Sequence, residues 1–495
     1  MCGLRDGAYT RARARLTARR ARIDGRHARN DRCSSRARSP PRSRSREGAS
    51  TTIRCDASVC ISLLTLTFGL QNRTYAPTFT TPWRGAREAS MTLSAFFSPD
   101  TSAVALRRAV EGATRAIDVY SPSIESWSGC APRRASCVGC SAAYTRQNEE
   151  QVLFRALLNA AARGVRVRLL TNKFDGTREC EGTVSMLSYF SEVFEVKTYA
   201  TTTFQHAKVI IIDDCVALSS VNWSKSSFIE NREAGVLMCA AAAAVDFAAA
   251  DSVSSYMRTV FDYDWTLGET WTPPNALSAS DLAIIRNASY LEPFPLPKHN
   301  ITEPHFVPSY SRTLIPGDKV ALSVGPDAAS TALYHELGNA KSTLDIYTYQ
   351  ITDDVFAKFI NELSRRVRVR VILSRAIFMD EDRYESIRVV DRLRETSDGR
   401  ITFFSSPHFY RYAHLKIWVR DGASESAVVG VSTGNFSPSD IPPIHPYPPF
   451  HDPAWRSINR DFNVVISDVK FAKQFSELIA GDGAHFNVYT KPTKF

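Results

Sequence analysis

Apolar positions return at helical spacing over residues 101–115, and the apolar stretch 117–124 that follows reads as a strand. Residues 149–162 predict a second helix, stopped at Gly164. Residues 165–171 then predict a strand whose β-branched and leucine content suits the interior of a sheet. Two more strands are expected over 193–199 and 208–213, and the alanine-rich stretch 240–263 reads as a long helix closing at Asp264-Trp265. This alternation of helix and strand predicts an α/β fold.

From residue 266 the period is lost. Pro273, Pro274, Pro293, Pro295, Pro297, Pro304 and Pro308 mark a Pro-rich connector over residues 271–315, and the helix–strand plan resumes over 316–495. Two insertions interrupt it, one at 125–148 with several cysteines and one at 441–455 rich in proline and aromatics. Loops wedged between motif elements either line a site entrance or decorate a surface, and both readings stay open.

Composition changes the picture at the N-terminus. The chain has 495 residues, 44% of them hydrophobic, enough for two or three domains with substantial cores. Its net charge of +10 belongs to the tail: residues 1–50 hold fifteen Arg, no Lys and four acids, leaving the rest near neutral at −1. The basicity therefore says little about what the body binds. Residues 1–90 are expected to form a disordered basic tail, read equally as an organelle transit peptide, a solvated polybasic arm, or an over-extended start ahead of Met91. The apolar run 59–70 has the length of a signal-peptide core and is too short to span a bilayer.

Cys130, Cys137, Cys140 and Cys180 fit two disulfides, a four-thiolate zinc site or free thiols. The sequons at Asn72, Asn287 and Asn300 mark a glycoprotein and favour an oxidising lumen. Localisation leans to a secretory, lumenal or membrane-associated setting, with organelle transit as the other reading.

The candidate chemistry is a repeat. His206-Ala-Lys208 followed by Asp213 recurs as His414-Leu-Lys416 followed by Asp421, a spacing that chance would supply on the order of 10⁻² times in such a chain. Downstream, Ser219-Ser220-Val221-Asn222-Trp223-Ser224 matches Ser432-Thr433-Gly434-Asn435-Phe436-Ser437, and Asn231-Arg232-Glu233 matches Asn459-Arg460-Asp461. Upstream, Pro99-Asp100 and Asp118-Val119-Tyr120 are echoed by Pro326-Asp327 and Asp345-Ile346-Tyr347. On a strand, residues two apart face the same way, so each His and Lys would project together. A nucleophile, an acid for the leaving oxygen and fixed donors around phosphoryl oxygens are what phosphodiester cleavage through a covalent intermediate requires. His335, His408, His445 and His451 have no repeat partner and read as ordinary polar residues.

In these residues the chain resembles the phospholipase D superfamily, over roughly residues 91–495. The resemblance implies two tandem pseudo-symmetric phospholipase D-like domains, 91–270 and 316–495, each a mixed β-sheet flanked by helices. It implies His206, Lys208, Asn222, Glu233, His414, Lys416, Asn435 and Asp461 as catalytic residues, with Asp213 and Asp421 structural. It further implies that Asp461 stands behind His206 and Glu233 behind His414, that His206 attacks to give a phosphohistidine, and that His414 protonates the leaving group. Ser219 stands where the family usually has Gly, one residue nearer to Asp213 than usual, which puts the local turn in doubt.

No metal and no cofactor are expected, because H-x-K sets a cation beside each His where a metal site would want a carboxylate. The expected partner is a phospholipid or membrane surface. Nucleic acid remains the alternative, with a single strand stacked on Trp223, Tyr349 and Phe436. No obligate protein partner is implied, and a catalytically silent binding member is the reading from a different class.

Overall fold

A computed structural model describes residues 79–85, 91–124, 152–172, 194–199, 204–240, 252–271, 301, 310–314, 319–442 and 458–494. The Arg-rich tail, the run 59–70, the sequon asparagines Asn72, Asn287 and Asn300, the four cysteines Cys130, Cys137, Cys140 and Cys180, His445, His451, the first insertion, nearly all of the second and most of the connector lie outside these residues.

In the strand Val209–Ile212, Val209 and Ile211 turn to one side and Ile210 and Ile212 to the other, and both sides are buried. A strand covered on both faces is the consequence of its continuous β-branched run. The other predicted elements fall close to their expected places: a helix over Ser102–Glu111, strands over Ala116–Tyr120, Arg166–Asn172 and Phe194–Tyr199, and a helix over Val152–Ala162. Within the stretch expected as one long helix, Ala240 departs from expectation, and residues 241–251 lie outside the described residues. Ala240 ends the strand Glu233–Ala240, where it pairs with Met91, and the described helix runs Val253–Leu267 from a Ser252 cap. Cross-strand pairing overrides the helix propensity of alanine at 240, and Asp264 lies buried inside the helix that it was expected to end.

The strands form two mixed sheets that repeat one plan. In the first sheet the order is Gly268–Thr270, Phe194–Tyr199, Arg166–Asn172, Ala116–Tyr120, Val209–Ile212, Cys215–Ser219, Glu233–Ala240, Met91–Ser98, Tyr310–Leu314. Reading the second sheet in the same direction gives Asn487–Val488, Ile401–Ser405, Arg368–Leu373, Thr343–Thr348, Lys416–Arg420, Val428–Ser432, Asn459–Ser467, Lys319–Gly325, Trp83–Arg84. The outermost strand at one end of each sheet is exchanged. Trp83–Arg84, which precedes the first half and lies in the stretch expected as tail, pairs with Lys319–Gly325 of the second. Tyr310–Leu314, which precedes the second half, pairs with Met91–Ser98 of the first.

One apolar core is shared by both halves, drawing Val209, Ile211 and Phe261 from the first and Ile417, Val429 and Phe475 from the second. The helices Val253–Leu267 and Val469–Gly483 supply Phe261 and Phe475 to it. Each sheet has a second core on its other face, under its own helices. Cys215 and Cys239, register partners on neighbouring strands, form a disulfide. No described helix is long and apolar enough to cross a membrane.

Candidate active site

Each motif His lies just ahead of its strand rather than on it. His206 precedes Val209–Ile212, and His414 precedes Lys416–Arg420. What holds each His is the opposite half. The His206 backbone N–H donates to Arg460 O at 3.1 Å, and the His414 N–H donates to Arg232 O at 2.8 Å. Phe204–Gln205 pairs in parallel with Asn459–Arg460, and Arg232 bridges in parallel to Ala413. Each Asn-Arg-acid segment is thereby threaded against the other half's motif.

The side chains follow the same exchange. His414 Nδ1 lies 3.1 and 3.0 Å from Glu233 Oε1 and Oε2. His206 Nδ1 lies 3.2 Å from Asp461. Both acids are fully buried and each takes a hydroxyl at 2.6 Å, Glu233 from Ser220 and Asp461 from Thr433. A buried carboxylate that accepts an imidazole N–H fixes the tautomer and leaves Nε2 for chemistry. Lys208 and Lys416 are buried as well. Lys208 Nζ donates to the carbonyls of His206 and Thr433, while Lys416 Nζ sits 2.8 Å from His414 Nε2 and 2.7 Å from the His414 carbonyl.

A further acid, missed in the sequence, completes the His206 side. Asp440 Oδ1 lies 3.3 Å from His206 Nδ1. Its carboxylate also accepts from the Asn435 backbone at 3.0 Å, the Ser437 hydroxyl at 2.6 Å and the Asn459 amide at 2.6 Å. The aligned position in the first half is Ser227, so repetition alone gave no signal there. His206, Asp440 and Asp461 each place a ligand atom within 4.8 Å of the others, so the carboxylates that H-x-K does not itself offer are supplied by the second half. The hydrogen bonds on both acids and the nearby Lys208 ammonium spend this trio on holding an imidazole.

The electrostatic surroundings differ between the two sides. Burial and the Lys208 charge lower the His206 pKa, but Asp461 and Asp440 outweigh them and it ends raised. For His414, burial outweighs Glu233, and the Lys416 charge adds to it, bringing the pKa down to about 4. Burial lowers Lys208 to about 8 and, with the Lys208 charge, takes Lys416 well below the ordinary lysine value. Asp461 is pushed up to about 6 by burial and by the Asp440 charge, while Asp440 is lowered, since His206 and its hydrogen bonds outweigh burial.

Asn222 and Asn435 are half-buried at matching places, and Asn435 Oδ1 has no hydrogen-bond partner among the described residues. Asp213 and Asp421 lie apart from this chemistry. Each has a left-handed backbone, φ +46° and +54°, and accepts backbone N–H groups from 114–116 or 341–343, which ties the end of the motif strand to its neighbour. Ser219 keeps the turn intact: its hydroxyl accepts from Val221 N at 3.3 Å, as Ser432 accepts from Gly434 N at 3.0 Å. Trp223 and Phe436, considered as base-stacking platforms, are buried core residues, and Phe436 stacks on Phe356 at 4.3 Å. Tyr349 alone of the three is partly exposed, edge-on to His414 with centroids 5.0 Å apart.

Comparison with known proteins agrees with this architecture. A family model described as "Cardiolipin synthase, PLD-like domain" matches residues 135–265 and 333–482, more than half of the chain. No curated protein matches. Among solved structures, phosphatidylserine synthase from Haemophilus influenzae Rd KW20 is similar at 12% identity and a TM-score of 0.52, over 80% of this chain and 87% of that one. The phospholipase D family member Nuc from Salmonella typhimurium is similar at 19% identity and a TM-score of 0.27, over 37% of this chain and 98% of that one.

Proposed function

This chain belongs to the phospholipase D-like family, and from that premise we propose that it is a phosphodiesterase or phosphatidyltransferase acting on phospholipids through a phosphohistidine intermediate. Residues 91–270 and 316–495 serve as the two halves of one site. The observation that carries the reading is the reciprocal pairing of His414 with Glu233 and His206 with Asp461, with two buried lysines beside them. One imidazole attacks phosphorus and the other gives its proton to the leaving oxygen, then takes one from water or an alcohol. Lys208, Lys416, Asn222 and Asn435 hold the phosphoryl oxygens, whose charge grows in the transition state.

Two observations support a lipid over a nucleic acid. The body's near-neutral charge offers little to a polyphosphate backbone, and two of the three aromatics considered for base stacking are in the core. The family's description as cardiolipin synthase points the same way. The test is a substrate panel with the purified chain: phosphatidylcholine, phosphatidylglycerol, bis-p-nitrophenyl phosphate and single-stranded DNA, with ethanol present and with or without EDTA. Turnover of a phospholipid that survives EDTA, with phosphatidylethanol formed where transfer occurs, is expected. Turnover confined to DNA would replace the lipid with a nuclease reading, and binding without turnover would make the chain a silent member.

A further inference from the structure

The two halves of the site are unequal in one respect that the repeated motif conceals. In the first half the position three after the motif serine is Ser227, a buried hydroxyl that takes the Asn231 amide at 3.4 Å. In the second half it is Asp440, which takes the Asn459 amide at 2.6 Å and reaches His206. A second difference makes room for the first. Val221 of one half is Gly434 in the other, and a Cβ on Gly434 would lie 2.7 Å from the Asp461 carboxylate and 3.0 Å from Asp440 Cβ. A side chain there would displace the pair of acids, so the missing Cβ and the added carboxylate belong together.

The surroundings of the two imidazoles differ accordingly. His206 Nδ1 faces two carboxylates, Asp461 and Asp440, and the Lys208 ammonium points to backbone carbonyls rather than to the ring. His414 faces one carboxylate, Glu233, and the Lys416 ammonium lies against its ring, 2.8 Å from Nε2 and 3.1 Å from Nδ1. With one carboxylate to accept from Nδ1–H, and the Lys416 Nζ rather than a second carboxylate against the ring, His414 has less to hold a second proton than His206 has. The opposite pKa directions of the two rings agree with this arrangement.

We propose that Asp440 is a positioning residue that keeps a proton on His206, so that His206 is the general acid and His414 the nucleophile, the reverse of the division implied by resemblance. The proposal rests on the phosphohistidine reading above. In the first step His414 Nε2 forms a bond to phosphorus, the bond from phosphorus to the leaving oxygen breaks, and the His206 Nε2 proton passes to that oxygen. In the second step His206 takes a proton from water or alcohol, whose oxygen bonds to phosphorus as the phosphorus–nitrogen bond breaks. Asp440 and Asp461 stabilise the imidazolium of His206 before the first step and after the second.

Two experiments test it. With an activated aryl phosphodiester, whose leaving group needs little protonation, His206→Ala should accumulate a phosphoryl adduct on His414, read by quenched mass spectrometry, and His414→Ala should give none. An adduct on His206 in the His414→Ala protein would overturn the proposal while leaving the reaction class intact. Undiminished hydrolysis by both variants would instead remove the phosphohistidine reading. Should neither variant trap an adduct, Asp440→Asn decides. Loss of one carboxylate should cut turnover of an alkyl phosphodiester by about 10- to 100-fold and of the aryl ester by less than about 3-fold, because only the former needs the acid. The alkaline limb of kcat/KM should also move to lower pH, since a His206 with one carboxylate gives up its proton sooner. Asp440→Ser, which installs the residue of the other half, should behave alike. Equal losses on both esters with an unmoved limb would mark Asp440 as merely structural and sink the proposal.

Discussion

Asp461 shows how a site residue can work against the stability of its own fold. Burial and the neighbouring Asp440 carboxylate raise its pKa to about 6 from an ordinary 3.8. A raised carboxyl pKa means that the folded chain binds this proton more tightly than the unfolded chain. The contribution is therefore full below about pH 4 and is lost as pH rises through about 6. Asp461→Asn, which cannot ionise, is expected to be more stable than the parent near pH 7 and to lose that advantage near pH 4, while turnover falls at both; denaturant midpoints at the two values check it. The eight motif residues could be read from the sequence because they repeat in order. Asp440 could not, since its counterpart is Ser227 and its contact with His206 joins distant parts of the chain. Nor could the buried partners of Arg232 and Arg460, because a charge in the sequence carries no sign of where it is neutralised.

Those two arginines act between elements. Arg232, beside Glu233, reaches Asp482 on the helix Val469–Gly483 at 2.8 and 2.6 Å, and Arg460, beside Asp461, reaches Asp264 on the helix Val253–Leu267 at 2.8 Å. Both guanidiniums are fully buried, so the strand that carries each acid is pinned to a helix of the other half. Removing one partner of a buried ion pair leaves the other charge uncompensated. Arg460→Ala is expected to cost about 3–5 kcal/mol in denaturant unfolding, because it strands Asp264 and also the buried Asp327, 3.7 Å from the same guanidinium. Most of the elements were legible because their apolar periods are long: Val209–Ile212 and its neighbours are buried on both faces, as their composition requires. The expected helix began too early at Ala240, because alanine suits a helix in isolation and the strand Met91–Ser98 offered backbone pairing there instead. Trp83–Arg84 is two residues long, too short for any period to announce it.

At the scale of the molecule, the sequence repeat fixes two similar sheets but not how they face each other. That comes from the shared core and from contacts that cross between halves. In three separate places a piece of one half completes the other: the outer strand of each sheet, the acid behind each imidazole, and the aspartate under each arginine. Each of these crossings is a non-covalent contact between residues before 272 and residues after 300, so the two halves carry the means of finding each other without a peptide bond between them. Two co-expressed pieces, 74–300 and 301–495, should each be inactive alone and should reconstitute turnover together. Their activity would fall on dilution with a concentration dependence that the intact chain does not show, because what was one molecule would have become an equilibrium between two.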